Sequence, residues 1–89
     1  MKLFILVVNT SVGVSMTDVQ RRLEGVDWYR LAANVWVVYG GVTSADDWAK
    51  HLLPLVKPGG TLLVSELNTR NHQGWQDEDF WEWFNARAR

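Results

Sequence analysis

Two short segments, Lys2 to Val8 and Val35 to Tyr39, are apolar at nearly every position, odd and even alike. Side chains alternate between the two faces of a strand, so a strand that is apolar on both must be covered on both. That condition excludes a simple solvated hairpin and fixes both segments as central strands of a sheet with material on each side.

The intervening residues supply the partners. After the loop Asn9 to Val14, Ser15 is an N-cap with Asp18 three residues on, and Met16, Val19, Leu23 and Val26 recur at helical spacing around Gly25. Asp27 to Leu31 is an aromatic strand with two charges, Asp27 and Arg30, as an edge strand carries. Ala32, Ala33 and Asn34 join it to Val35–Tyr39 as a hairpin, with Asn34 placed to accept a left-handed turn. Gly40 and Gly41 break the strand. Thr43 and Ser44 open a second helix with Asp47 at its third position, a stripe of Ala45, Trp48, Ala49, Leu52 and Leu53, and an end at Pro54. Lys57-Pro58-Gly59-Gly60 predicts a turn with positive φ at glycine, and Thr61 to Leu67 a fourth strand. Asn68 to Gly74 is polar loop, and Gln76 or Asp77 caps a short helix through about Ala86.

The order βαββαβ predicts an α+β fold of the ferredoxin-like type, with two helices on one face of an antiparallel sheet ordered 4-1-3-2. Residues 1–67 form that domain. Residues 68–89 form a loop and helix that pack on it or on a partner subunit. The helix-free face of a lone two-layer domain would be wet, yet the central strands are apolar there too, so a second copy or the tryptophan-rich tail must cover it.

Composition narrows the function. The chain of 89 residues is 47% hydrophobic, enough for one thin core. It has no cysteine, which removes thiolate metal sites and cysteine nucleophiles and fits a reducing compartment. The run Leu3 to Val8 is too short to span a bilayer or serve as an export signal, so a cytoplasmic protein without membrane contact is expected. A formal net charge of −1 with scattered Lys and Arg does not support nucleic acid as a partner. Six tryptophans exceed what so small a core holds, which places some at an interface.

The segments LFILVVN, DWYRLAANVWVVYGGVTSADDWAKHLLPLV, TLLVSELN and GWQDEDFWEWF together resemble the SinR-like family of small orphan proteins, relatives of the CRISPR-associated adaptation subunit and of virulence-associated protein D. The resemblance spans nearly the whole chain. It implies a ferredoxin-like homodimer with ancestry among nucleic-acid-handling proteins, some of them metal-dependent nucleases. Those relatives carry an aspartate at the end of the first strand, where this chain has Asn9, a neutral and weak metal ligand. The stretch HLLPLVKPGGTLLVSE looks like a late turn of Rossmann-like methyltransferases, but the first loop, NTSVGVS, lacks their glycine-rich cofactor pattern.

Four residues, Asn9, Thr10, Ser11 and Gly13, form a polar loop before helix one where an anion or ligand could bind; with no cationic residue near in sequence, an ordinary capped connection is the preferred reading. His51 and His72 have no second ligand at metal spacing. Asp77, Glu78, Asp79 and Glu82 match a helix dipole without further role. The serines lack a paired base. Trp28, Trp36, Trp75, Phe80, Trp83 and Phe84 are interface candidates, and the same aromatics would stack bases were basic residues around them. The sequence therefore predicts no catalytic residue, metal or cofactor. Its leading reading is a noncatalytic, homodimeric scaffold or interaction module, and its alternative a metal-dependent nuclease or nucleic-acid binder using carboxylates such as Asp27 or Glu66 across a dimer.

Overall fold

The computed structural model describes residues 2–40 and 44–88. Four strands, β1 (Leu3–Asn9), β2 (Asp27–Ala32), β3 (Val35–Tyr39) and β4 (Thr61–Glu66), form one antiparallel sheet in the order β2-β3-β1-β4. Helices α1 (Met16–Arg22) and α2 (Ala45–Val56) cover one face, and α3 (Glu78–Arg87) lies on the other. The fold is α+β, a ferredoxin-like sandwich with an added C-terminal helix. Among the described residues no helix is long and apolar enough to cross a membrane.

The doubly apolar strands are the two central ones. Phe4, Leu6 and Val8 of β1 and Trp36 and Val38 of β3 point to the α1/α2 layer, where they bury against Val19, Leu23, Trp48, Leu52, Leu55 and Val56. Leu3 of β1 and Val37 of β3 point the other way and are buried under Phe80 and Phe84 of α3. Each fully buried aromatic or aliphatic side chain is worth about 1.5–3 kcal/mol. Trp36 and Trp48 bury their indole N–H groups without an acceptor among the described residues, a cost of about 1–3 kcal/mol each that their packing offsets.

Local chemistry explains the helix starts. The Asp18 carboxylate accepts from the Ser15 backbone N–H at 3.0 Å while Ser15 Oγ accepts from the Asp18 N–H, a complete capping box. Ser44 Oγ accepts from the Asp47 N–H at 3.0 Å; the predicted starts and breaks at Gly41 and Thr43 lie outside the described residues. Asp77 stands at the N-cap of α3 without a side-chain cap bond.

Three expectations are corrected. Helix α2 does not stop at Pro54 but runs to Val56, because Pro54 sits on the exposed side while Leu55 and Val56 bury in the core; Leu53 is correspondingly outside the apolar stripe. Asn34 is not left-handed, since among the described residues no residue other than glycine has positive φ; the hairpin instead takes up its twist through a bulge between Arg30 and Ala32. Gly59 and Gly60 do not take positive φ either. Gly60 is required for a different reason: a Cβ there would collide with the carbonyl of Asn9 and crowd the Val56 carbonyl and Ser11 amide.

Candidate functional site

The loop after β1 is tied down at each residue the sequence singled out. Asn9 Oδ1 accepts from Asn34 Nδ2 at 3.0 Å, and Asn9 Nδ2 donates to Thr61 Oγ1 at 2.9 Å, so its amide bridges the β2–β3 turn to β4 across the end of the sheet. Thr10 Oγ1 donates to the Val14 carbonyl at 2.8 Å. The Ser11 N–H donates to the Leu55 carbonyl at 3.0 Å, which holds the loop against the end of α2, and the Val14 N–H closes the turn onto the Ser11 carbonyl. Gly13 takes φ +87° in that turn. The amides of Ser11 and Val14 are thus already spent on backbone carbonyls rather than presented to an anion.

The two histidines also have structural partners. His51 Nε2 lies 2.8 Å from the Arg22 carbonyl, which joins α2 to the end of α1. His72 Nδ1 lies 3.1 Å from the Asn68 carbonyl, and its ring stands 4.6 Å edge-on to Phe84. Lys50, on the exposed side of α2, is pushed above its ordinary pKa by the hydrogen bond it donates to the Asp46 carboxylate and by that residue's charge. Among the described residues no group of three or more His, Cys, Asp or Glu is gathered in metal-binding geometry. Asp27 and Glu66, the carboxylates of the nuclease reading, stand in β2 and β4 at opposite edges of the sheet. Asp27 accepts from Trp83 Nε1 at 3.1 Å and pairs with Arg87, whose guanidinium also stacks on the Trp83 ring at 4.4 Å; Glu66 pairs with Lys2 at 3.4 Å.

The six aromatic candidates separate. Trp36 is buried and Trp28 half-buried in the α1/α2 layer. Phe80 and Phe84 are buried against the opposite face, with Phe80 edge-on to Tyr29 at 5.4 Å, and Trp83 is half-buried against Tyr29 and Asp27. Trp75 alone of the six faces solvent, 97% exposed. The helix-free face is therefore covered by the chain's own tail.

That cover is lateral and incomplete. Helix α3 is stapled to β2 through Asp27 and Tyr29, so it lies over the β2 half of the face. The middle of β4 is bare: Val7 pairs with Val35 on one side and Leu63 on the other, and Leu63, in the middle of the edge strand, is 63% exposed. The two sheet edges differ in kind. At β2 the bulge interrupts the ladder, and Arg30 folds back to donate to the Ala32 and Ala33 carbonyls at 3.2 and 2.6 Å. At β4 the register is unbroken and Thr61–Glu66 contains neither proline nor a basic residue. The Leu67 N–H donates to the Leu3 carbonyl, so residues 61, 63, 65 and 67 bond inward to β1. The N–H and C=O groups of Leu62, Val64 and Glu66 consequently point outward.

Two clefts flank this region. One, of about 410 Å³, is lined by Lys2, Leu3 and Glu66 to Arg70. The other, of about 130 Å³, lies between the sheet, α3 and the 72–76 segment.

Sequence reasoning missed Leu63 and the smaller cleft. The Leu62-Leu63 pair in TLLVSE gave the one available signal, apolar residues on both faces of an edge strand. Comparison of the chain with protein-family models, curated proteins and solved structures finds no match in any of the three.

Proposed function

We propose that the protein is a noncatalytic interaction module that works as a homodimer, with two copies joined antiparallel through the open edge of β4. The observation that carries this reading is the unguarded Thr61–Glu66 edge with Leu63 bare at its centre. Exposed edges of this kind pair with another strand unless they are blocked.

The strand is self-complementary about Val64. A two-fold axis at that residue sets Val64 opposite Val64, a hydrogen-bonded pair made of the outward groups, and sets Leu62 opposite Glu66. The two Leu63 side chains then meet diagonally on the sheet face that carries α3, beside Val7 of each copy. Glu66 is the only charged residue of the strand. Its two copies stand four residue steps apart, about 13 Å at 3.3 Å per residue, so like charges are not opposed. The product is a continuous eight-stranded sheet.

Light scattering coupled to size exclusion tests this across a dilution series. The wild-type chain is expected at twice the chain mass, and Leu63→Lys, which places two ammonium groups in the diagonal contact, at the chain mass. A wild-type monomer at high micromolar concentration overturns the proposal.

A further inference from the structure

The smaller cleft is mostly apolar. Ile5, Val37 and Leu67 form its floor, Phe80 and Phe84 one wall, and the rim is made by His72 with the amides Gln73 and Gln76. None of its lining residues carries a fixed charge. An ionised ligand would lose hydration there without gaining a counter-charge, so a neutral occupant is selected.

Size and shape select further. A closed apolar cavity of about 150 Å³ holds one benzene ring; this cleft, at about 130 Å³ and open on one side, seats one ring and lets a second, fused ring reach out past the rim. Its walls already show the aromatic contacts that a flat ring extends: Phe80 and Phe84 at 5.7 Å, and His72 edge-on to Phe84 at 4.6 Å. His72 Nδ1 donates to the Asn68 carbonyl, which leaves Nε2 as its remaining hydrogen-bonding group, and the two glutamines add donors and acceptors. The chain does not fill the cleft itself. Gly74 and Gln76 line it, while Trp75 between them turns its indole to solvent.

We infer that the cleft between α3, the 72–76 segment and the sheet is a binding site for a small neutral aromatic compound of one or two fused rings bearing a single hydrogen-bonding group. This site is distinct from the dimer edge, because of the β4 ladder only Leu67 lines it, and the Leu67 N–H bonds inward to Leu3.

The test is a methyl NMR titration of the full chain with indole. Saturable shifts are expected at Ile5, Val37 and Leu67. Affinity for indole-3-acetate should be at least tenfold lower, since its carboxylate finds no partner. Val37→Phe, which fills the floor, should weaken indole binding at least tenfold, and Leu67→Phe, which fills from the rim, serves should Val37→Phe not fold. The Leu63→Lys chain should bind indole as the wild type does, which separates this site from the dimer. Absence of saturation up to the solubility of indole overturns the inference, as do shifts that are equal for the charged analogue or unchanged in both filled variants. Shifts that appear on concentrating the protein alone and vanish in Trp75→Ala would also overturn it, by showing that the indole of a second copy occupies the cleft.

Discussion

The tail contains two aromatic side chains with opposite expected fates, Phe84 and Trp75, and truncating each to alanine separates packing from exposure. Phe84 is 1% exposed and lies against Leu3, Val37 and Phe80 under α3. A buried Phe→Ala change costs about 3–5 kcal/mol, the sum of lost transfer energy and the void left behind. The site borders the open 130 Å³ cleft, into which His72 and Trp81 have room to relax, so the lower end applies, about 3 kcal/mol. Total stability for a domain of this size is about 5–15 kcal/mol, so the variant loses a large share of it. With a urea slope of about 1–1.5 kcal/mol per molar, the midpoint moves down by about 2–3 M. Trp75, 97% exposed, has no such packing to lose, and Trp75→Ala should stay within about 0.5 kcal/mol of wild type. Urea titrations followed by far-UV circular dichroism read both. If Phe84→Ala costs under about 1 kcal/mol, or no more than Trp75→Ala, α3 does not cover the sheet and the three-layer account fails.

Other outcomes follow from single contacts. Gly60→Ala drives a methyl into the Asn9 carbonyl and should destabilise by about 1–3 kcal/mol in the same titration, whereas Gly59→Ala, with open space at its Cβ position, should not approach that. A double-mutant cycle of Asp27→Ala and Arg87→Ala should give a coupling of no more than about 1 kcal/mol, because both side chains of the pair retain solvent contact, at 44% and 25% exposure. Asn9→Asp keeps the acceptor for Asn34 and reverses the bond to Thr61, whose hydroxyl then donates to the carboxylate, so it should fold with little change; incubated with RNA or DNA and magnesium or manganese it should show no cleavage, since Asp27 and Glu66 stay at opposite sheet edges.

Much of this architecture was legible where one physical rule acts alone. The doubly apolar β1 and β3 had to be central, and Ser15 with Asp18 had to open a helix, because alternation and capping are local geometry. The misread positions are those where tertiary context decided. Pro54 ends a helix only if nothing beyond it gains by staying helical, and here Leu55 and Val56 bury. Gly60 looked like a turn glycine, but its need comes from Asn9, distant in sequence. Pattern showed that the second sheet face required cover and offered the tail or a second copy. It did not show that Asp27 would bind Trp83 and Arg87 and so draw α3 toward β2, and that offset is what leaves Leu63 bare and opens the cleft. The aromatic candidates blurred for the same reason. Six aromatic positions look alike in sequence, and only the placed α3 separates buried Phe84 from exposed Trp75.

The amides of β4 test the dimer most directly. Leu63, Ser65 and Leu67 bond inward to β1, whereas Leu62, Val64 and Glu66 point to the open edge. Residue-resolved hydrogen exchange at high and low protein concentration reads the two sets separately. The account predicts that Leu62, Val64 and Glu66 are protected at high concentration and lose that protection on dilution, while the inward set stays protected throughout. An alternating pattern already present at high concentration, with Leu62, Val64 and Glu66 exchanging fast at every dilution, would contradict it.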